Sequence, residues 1–231
     1  PPSAAQATGG HDFAFDPSCV VAAESGRGGN FAMGYAGGGA AALPSAAAPA
    51  TQRPELVESA LETTRRQIER CHGTHLGTIV FHSLGGGTGS GLGTRLVEEL
   101  RAAEPRAPIW TVSVLPISSG ENPLQSYNSL LALASLQELS DGVILYENDR
   151  LLSTAEVSAG RGSRAADASS GPHADALGAG ATLASMNRLV ARDLVPLFCP
   201  QQAVEPFDPG ALLSSVCPMS THRFVQAFSG E

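Results

Sequence analysis

The stretch TIVFHSLGGGTGSGLGTRLVEEL, residues 78–100, carries three patterns end to end. Thr78–His82 is a short run rich in β-branched and aromatic residues, the composition of a buried strand. Ser83–Gly91 follows, with five glycines among the seven residues Gly85–Gly91. Beyond it, Leu92, Leu96, Val97 and Leu100 fall on one helical stripe. A strand, a glycine loop and a helix in that order read as part of a βαβ unit.

The alternation continues on both sides. Glu55–Cys71 places Val57, Leu61, Thr64, Ile68 and Cys71 at helical spacing, with Pro54 just before its start. Downstream, strands are predicted at Ile109–Leu115, Val143–Tyr146 and Arg223–Phe228. Helices are predicted at Pro123–Leu139, from Asn148 (short), at Thr182–Phe198 and at Gly210–Cys217. Such a pattern predicts an α/β fold, a mostly parallel sheet with helices on both faces, whose ligands bind at the carboxyl ends of the strands. Three stretches lack apolar periodicity. Residues 1–12 read as a disordered N-terminal segment, and 37–54 and 157–181 as low-complexity insertions in one domain spanning 13–231.

Composition removes several classes of function. All 14 basic residues are arginine, so the lysine of a Walker A loop and the Schiff-base lysine of pyridoxal enzymes are both missing. A formal charge of −8 with no basic stripe argues against a nucleic-acid partner. No unbroken apolar run is longer than Leu130–Ala134, which is far short of a membrane span, and no signal-peptide pattern is present, so no membrane partner is expected. Cys19, Cys71, Cys199 and Cys217 are too dispersed for a disulfide framework or a C-x-x-C metal site and read as reduced thiols.

Glycines let the backbone approach a ligand without Cβ clashes, and the amides at a strand-to-helix junction converge with the positive end of a helix dipole behind them. That geometry suits phosphate oxygens, with Thr88 and Ser90 as additional hydroxyl donors. The alternative is a flexible or tightly packed turn of no chemical consequence. The spacing G-x-G-x-x-G cannot be laid across residues 85–93, and no serine sits in a G-x-S-x-G elbow, which disfavours dinucleotide cofactors and α/β-hydrolase chemistry.

GGGTGSG at Gly85–Gly91 resembles the glycine loop of the tubulin family. Other segments agree in order, from about Phe13 to about Phe228. GGNFAMGY at Gly28–Tyr35 is similar to an earlier tubulin loop, and Tyr127-Asn128 to the pair opening the helix after the ribose-side loop. Within the family the delta-tubulin branch fits best, through Gly120-Glu121, Glu147-Asn148-Asp149 and Met186-Asn187 leading towards Phe198-Cys199-Pro200. The resemblance implies part of a tubulin-like GTPase domain that binds GTP. Gly86, Gly87, Thr88 and Gly89 would cradle the α- and β-phosphates, Ser83 would contact nucleotide, and Glu121 would face the ribose. Asn148 and Asn187 would read the guanine edge, where an amide offers both a donor and acceptors. By the same resemblance the chain starts after the family's first strand and its Gly-Gln-Cys loop. The expected Mg2+ would take its acidic ligand from that earlier region. The sequence also stops near the end of the nucleotide domain, so a partial chain is expected.

Three positions depart from the pattern. Gly29 stands for the first Asn of the γ-phosphate-side loop, Leu183 for an aromatic that stacks on the base, and Ala211 for the acid that orients water at the next subunit's nucleotide. The resemblance therefore implies GTP binding more firmly than hydrolysis, and a weak GTPase activity stays open. The resemblance further implies other tubulin subunits or microtubules as partners, and a place in the cytoplasm and cytoskeleton at centrioles or basal bodies. An actively polymerising GTPase and a structural fragment that binds no nucleotide are the alternatives.

Overall fold

The computed structural model describes residues 16–23, 26–36, 55–71, 75–120, 122–162, 183–199 and 208–227. Its centre is a four-stranded sheet in the order β1-β2-β3-β4, formed by Thr78–Ser83, Ile109–Leu115, Gly142–Glu147 and Phe224–Gln226. All three pairings are parallel, with Thr78 opposite Ile109, Thr111 opposite Val143 and Ile144 opposite Val225.

Residue choice sets strand position. In β2 the five residues from Ile109 to Ser113 are all buried, which requires cover on both faces and suits a central strand. In β1 burial alternates: Val80 and His82 turn inward, whereas Ile79, Phe81 and Ser83 are exposed, the pattern of an edge strand.

Seven helices accompany the sheet among the described residues: α1 Phe31–Tyr35, α2 Glu55–Arg70, α3 Gly93–Ala103, α4 Gln125–Leu139, α5 Asn148–Gly162, α6 Leu183–Phe198 and α7 Pro209–Val216. Successive strand residues point to opposite faces, and the core divides accordingly. Ile109 and Val143 join Val97 and Leu100 of α3 and Ala132 and Leu136 of α4. Trp110, Val112, Ile144 and Tyr146 join Leu151 and Ala155 of α5, Met186 and Leu194 of α6, and Cys217 just after α7. Helices cover both faces, as the α/β reading requires. Arg101 locks α3 to the sheet by donating to the carbonyls of Leu139 and Ala107 and pairing with Asp141, whose carboxylate also accepts from the Ile109 amide at 2.8 Å.

Most element ends shift by one or two residues from the expected bounds, β4 is only Phe224–Gln226, and two departures are larger. The glycine loop does not pass straight into an α-helix but first winds through a π-helical turn, Thr88–Leu92. The short helix expected from Asn148 runs fifteen residues, to Gly162, and so takes in the first six residues of the stretch 157–181. The rest of that stretch, together with residues 1–12 and 37–54, lies outside the described residues. Among the described residues no helix is long and apolar enough to cross a membrane.

Candidate functional site

Strand β1 ends at Ser83, and Leu84 anchors the following loop. Its side chain is fully buried in the core, and its amide donates to Val114 O at 2.9 Å. Beyond it, carbonyls and amides part company. Gly85 O accepts from Asn122 Nδ2 at 3.2 Å and Asn128 Nδ2 at 2.9 Å. Gly86 O accepts from the Ser90 amide at 3.2 Å and from Ser90 Oγ at 2.5 Å. Gly89 O lies 2.7 Å from His82 Nδ1. The amides of Gly86 to Gly89, by contrast, meet no protein acceptor among the described residues. Acceptors are drawn inward and donors are left over, which is the polarity an anion site needs.

The glycines differ in their surroundings. A Cβ on Gly89 would stand 2.0 Å from the Ser83 carbonyl oxygen, so this glycine is required by packing. A Cβ on Gly86 would meet nothing within 4 Å, so the backbone there faces open space. Thr88 is exposed beside it.

The segment 27–35 braces the loop. Gly28 and Gly29 hold φ of 57° and 62°, with the Asn30 amide donating to Arg27 O at 3.2 Å, a two-residue turn that needs positive φ at both centres. Asn30 then caps α1 by accepting from the Ala32 amide at 2.8 Å. Gly29 leaves the space that Asn122 fills: a Cβ there would stand 2.9 Å from Asn122 Nδ2.

Several residues that organise the loop escaped sequence reading. His82 and Asn122 carry no motif, while Asn128 and Asp149 stand in quoted motifs that assign them no role in the loop. Asp149 accepts from the Ser118 amide at 2.9 Å and so ties the loop after β2 to α5. His82 bridges Gly89 O and Ser113 Oγ, the latter at 2.8 Å. Because a carbonyl only accepts, Nδ1 carries the proton and Nε2 accepts from the serine hydroxyl. Burial lowers the His82 pKa below 6.5. The unfolded chain therefore binds more protons as pH falls through 6.5, and stability declines until the lowered pKa is reached. The His82→Gln variant is expected to lose that part of the acid sensitivity, read as a smaller drop in urea midpoint as pH is lowered from 7.5 through 6.5.

Because the strands are parallel, Ser83, the segments 116–120 and 122–124, and Asn148 follow the carboxyl ends of three adjacent strands and lie along one edge of the sheet. Ser83 is exposed there, and Asn148 is half-buried as the first residue of α5. Glu121 lies outside the described residues. Asn187 follows no strand; it is exposed on α6, four residues after Leu183, itself 65% exposed. Asp208 is engaged as the cap of α7, accepting from the Gly210 amide at 2.8 Å, and Ala211 is exposed. Among the described residues no group of three or more His, Cys, Asp or Glu could hold a metal ion.

A cavity of about 480 Å³ lies on the other side of the sheet from α3 and α4, against Trp110, Ile144, Pro196, Leu212 and Val225. Nearby, burial and the Asp193 carboxylate push the Tyr146 phenol up to about 12. This mostly apolar space is separate from the glycine loop.

Comparison with known proteins gives a match over residues 3–156 to the GTPase domain of the Tubulin/FtsZ family. The tubulin beta chain of Porphyra purpurea is 37% identical over 144 residues, 62% of this chain and 28% of that protein. The tubulin beta-1 chain of Chondrus crispus is 38% identical over 138 residues, 59% of this chain and 27% of that protein. For the tubulin beta-1 chain of Colletotrichum graminicola the values are 36%, 138 residues, 59% and 28%. The chain thus spans under a third of the length of these relatives. Ser83, the loop and Asn148 fall inside the matched span 3–156, whereas Asn187 falls beyond it.

Proposed function

The chain belongs to the Tubulin/FtsZ family, and from that premise we propose that it binds GTP through main-chain amides of the glycine loop. One observation carries the reading: the amides of Gly86 to Gly89 are without protein acceptors, whereas the carbonyls of Gly85, Gly86 and Gly89 are bonded to the protein. Phosphate oxygens supply the acceptors that these donors lack. No lysine takes part, so dipoles and hydrogen bonds hold the charge. Gly86, Gly87, Thr88 and Gly89 hold the α- and β-phosphates. Ser83 adds a hydroxyl, Glu121 accepts from the ribose hydroxyls, and Asn148 and Asn187 read the base. Mg2+ accompanies the nucleotide; among the described residues no cluster would hold it alone, so no step is assigned to it.

Hydrolysis is not part of the proposal. The family's water-orienting position falls on Ala211, and the neighbouring carboxylate of Asp208 already caps α7. On the finer identity, the matches quoted above are beta chains. We place the chain with delta-tubulins on Gly120-Glu121, Glu147-Asn148-Asp149, Met186-Asn187 and Phe198-Cys199-Pro200, and infer a role at centrioles or basal bodies among tubulin subunits or microtubules. Localising the tagged protein in ciliated cells tests that placement, and a signal spread evenly along microtubules contradicts it.

Titrating the chain with labelled GTP, with ATP as competitor, tests the binding itself. Saturable binding that ATP does not displace is expected, and no binding refutes the proposal. The Asn187→Asp variant exchanges an amide donor for an acceptor and is expected to move preference from GTP to xanthosine triphosphate by about tenfold or more. An unchanged preference removes Asn187 from the base site.

A further inference from the structure

An anion receptor made of backbone faces a difficulty that glycines alone do not solve. Every peptide unit that offers an amide also carries a carbonyl, and a carbonyl oxygen turned towards a phosphate repels it. Here four side-chain bonds converge on two carbonyls. Asn128 Nδ2 donates to Gly29 O at 2.8 Å and to Gly85 O at 2.9 Å. Asn122 Nδ2 donates to the same two oxygens, at 2.8 and 3.2 Å. A carbonyl has two lone pairs, so both oxygens are saturated. Asn128 is 2% exposed, and its Oδ1 accepts from the Phe31 amide at 2.8 Å, which fixes the orientation of the side chain. Asn122 is oriented by the Leu124 amide, which donates to its Oδ1 at 3.0 Å.

We propose that Asn122 and Asn128 are positioning residues that act as one clamp. They draw the carbonyls of Gly29 and Gly85 inward and join the turn 28–30 to the glycine loop, leaving a surface of donors for a phosphate chain. The proposal rests on the nucleotide reading above and adds to it the residues that give the loop its polarity. Neither asparagine touches the phosphates.

Each carbonyl has two donors, so one amide suffices to hold it. The Asn122→Ala and Asn128→Ala variants are each expected to weaken GTP by about threefold, and the double variant by about a hundredfold, far above the product. Inorganic pyrophosphate, added as a competitor, should weaken in parallel, since the affected contacts are to phosphate. Because Asn122 lies in a loop and is half-buried, Asn122→Ala should keep its melting temperature, and the Asn122→Asp variant tests the same point by setting a carboxylate against two carbonyls. Additive losses, or unchanged affinity in folded variants, overturn the clamp. Amide exchange without nucleotide separates the two ideas. The Ser90 amide, bonded to Gly86 O, should exchange faster in the Asn122→Asp variant and in the Asn122→Ala/Asn128→Ala double variant, even if GTP binding fails altogether. Unchanged exchange at Ser90 rejects the clamp, whereas faster exchange in a chain that does not bind GTP leaves the clamp and refutes only the nucleotide reading.

Discussion

The Gly86→Ala variant is expected to fold like the parent chain and to bind GTP at least tenfold more weakly. A Cβ at this position meets nothing within 4 Å, and φ is not in the left-handed region, so the folded protein accommodates a methyl group without strain. Its carbonyl bonds to the Ser90 amide and hydroxyl do not involve the side chain and persist. The open space around Gly86 is where the phosphate chain is proposed to lie. A methyl group holds phosphate oxygens off the amides, and losing even one charge-assisted bond costs about 1.5–3 kcal/mol, or about tenfold and more in affinity. Thermal unfolding and GTP titration on the same sample decide the matter. Equal melting temperatures with weaker binding support the site; equal affinity places the nucleotide somewhere other than against Gly86.

How much of this was legible beforehand depends on what kind of information a residue type carries. The β2 run of Ile109–Leu115 and the stripe of Leu92, Leu96, Val97 and Leu100 speak through burial, a local property that pattern reveals; β2 spans the expected residues, and the stripe lies on α3 except for Leu92, which ends the π-helical turn. The turn Thr88–Leu92 is π-helical and packs against α1, about sixty residues earlier in the chain, a partner that no local pattern encodes. The same holds for the clamp. Asn122 and Asn128 bond to carbonyls 37 to 99 residues distant, and an asparagine before a helix otherwise reads as an ordinary cap. His82 was invisible for a related reason: within a strand run it looks like one more inward side chain, and its role appears only once the chain has turned back to bring Gly89 O to its ring. Glycine clustering was legible as a feature but not in its division of labour, since open and crowded glycines have the same letter.

That division gives the second large effect. The Gly89→Ala variant is expected to lose stability by about 3 kcal/mol, the upper part of the range for overpacking, whether or not nucleotide is present. Its Cβ would stand 2.0 Å from the Ser83 carbonyl oxygen and 3.0 Å from the Ser83 carbonyl carbon and amide nitrogen. All three are backbone atoms at the end of β1, so no rotamer change relieves the clash. Either the π-helical turn lifts away or the strand end shifts, and both break the contact between Gly89 O and His82 that ties them together. Adding Thr88→Val, which removes an exposed hydroxyl, should leave the stability of Gly89→Ala nearly unchanged while contributing its own loss of binding. GTP binding by the pair is therefore expected to vanish for two distinct reasons, and urea unfolding of the two single variants separates them. A Gly89→Ala chain with parental stability would show that the turn does not pack on Ser83, and the inward-facing carbonyls on which the phosphate site depends would lose their support.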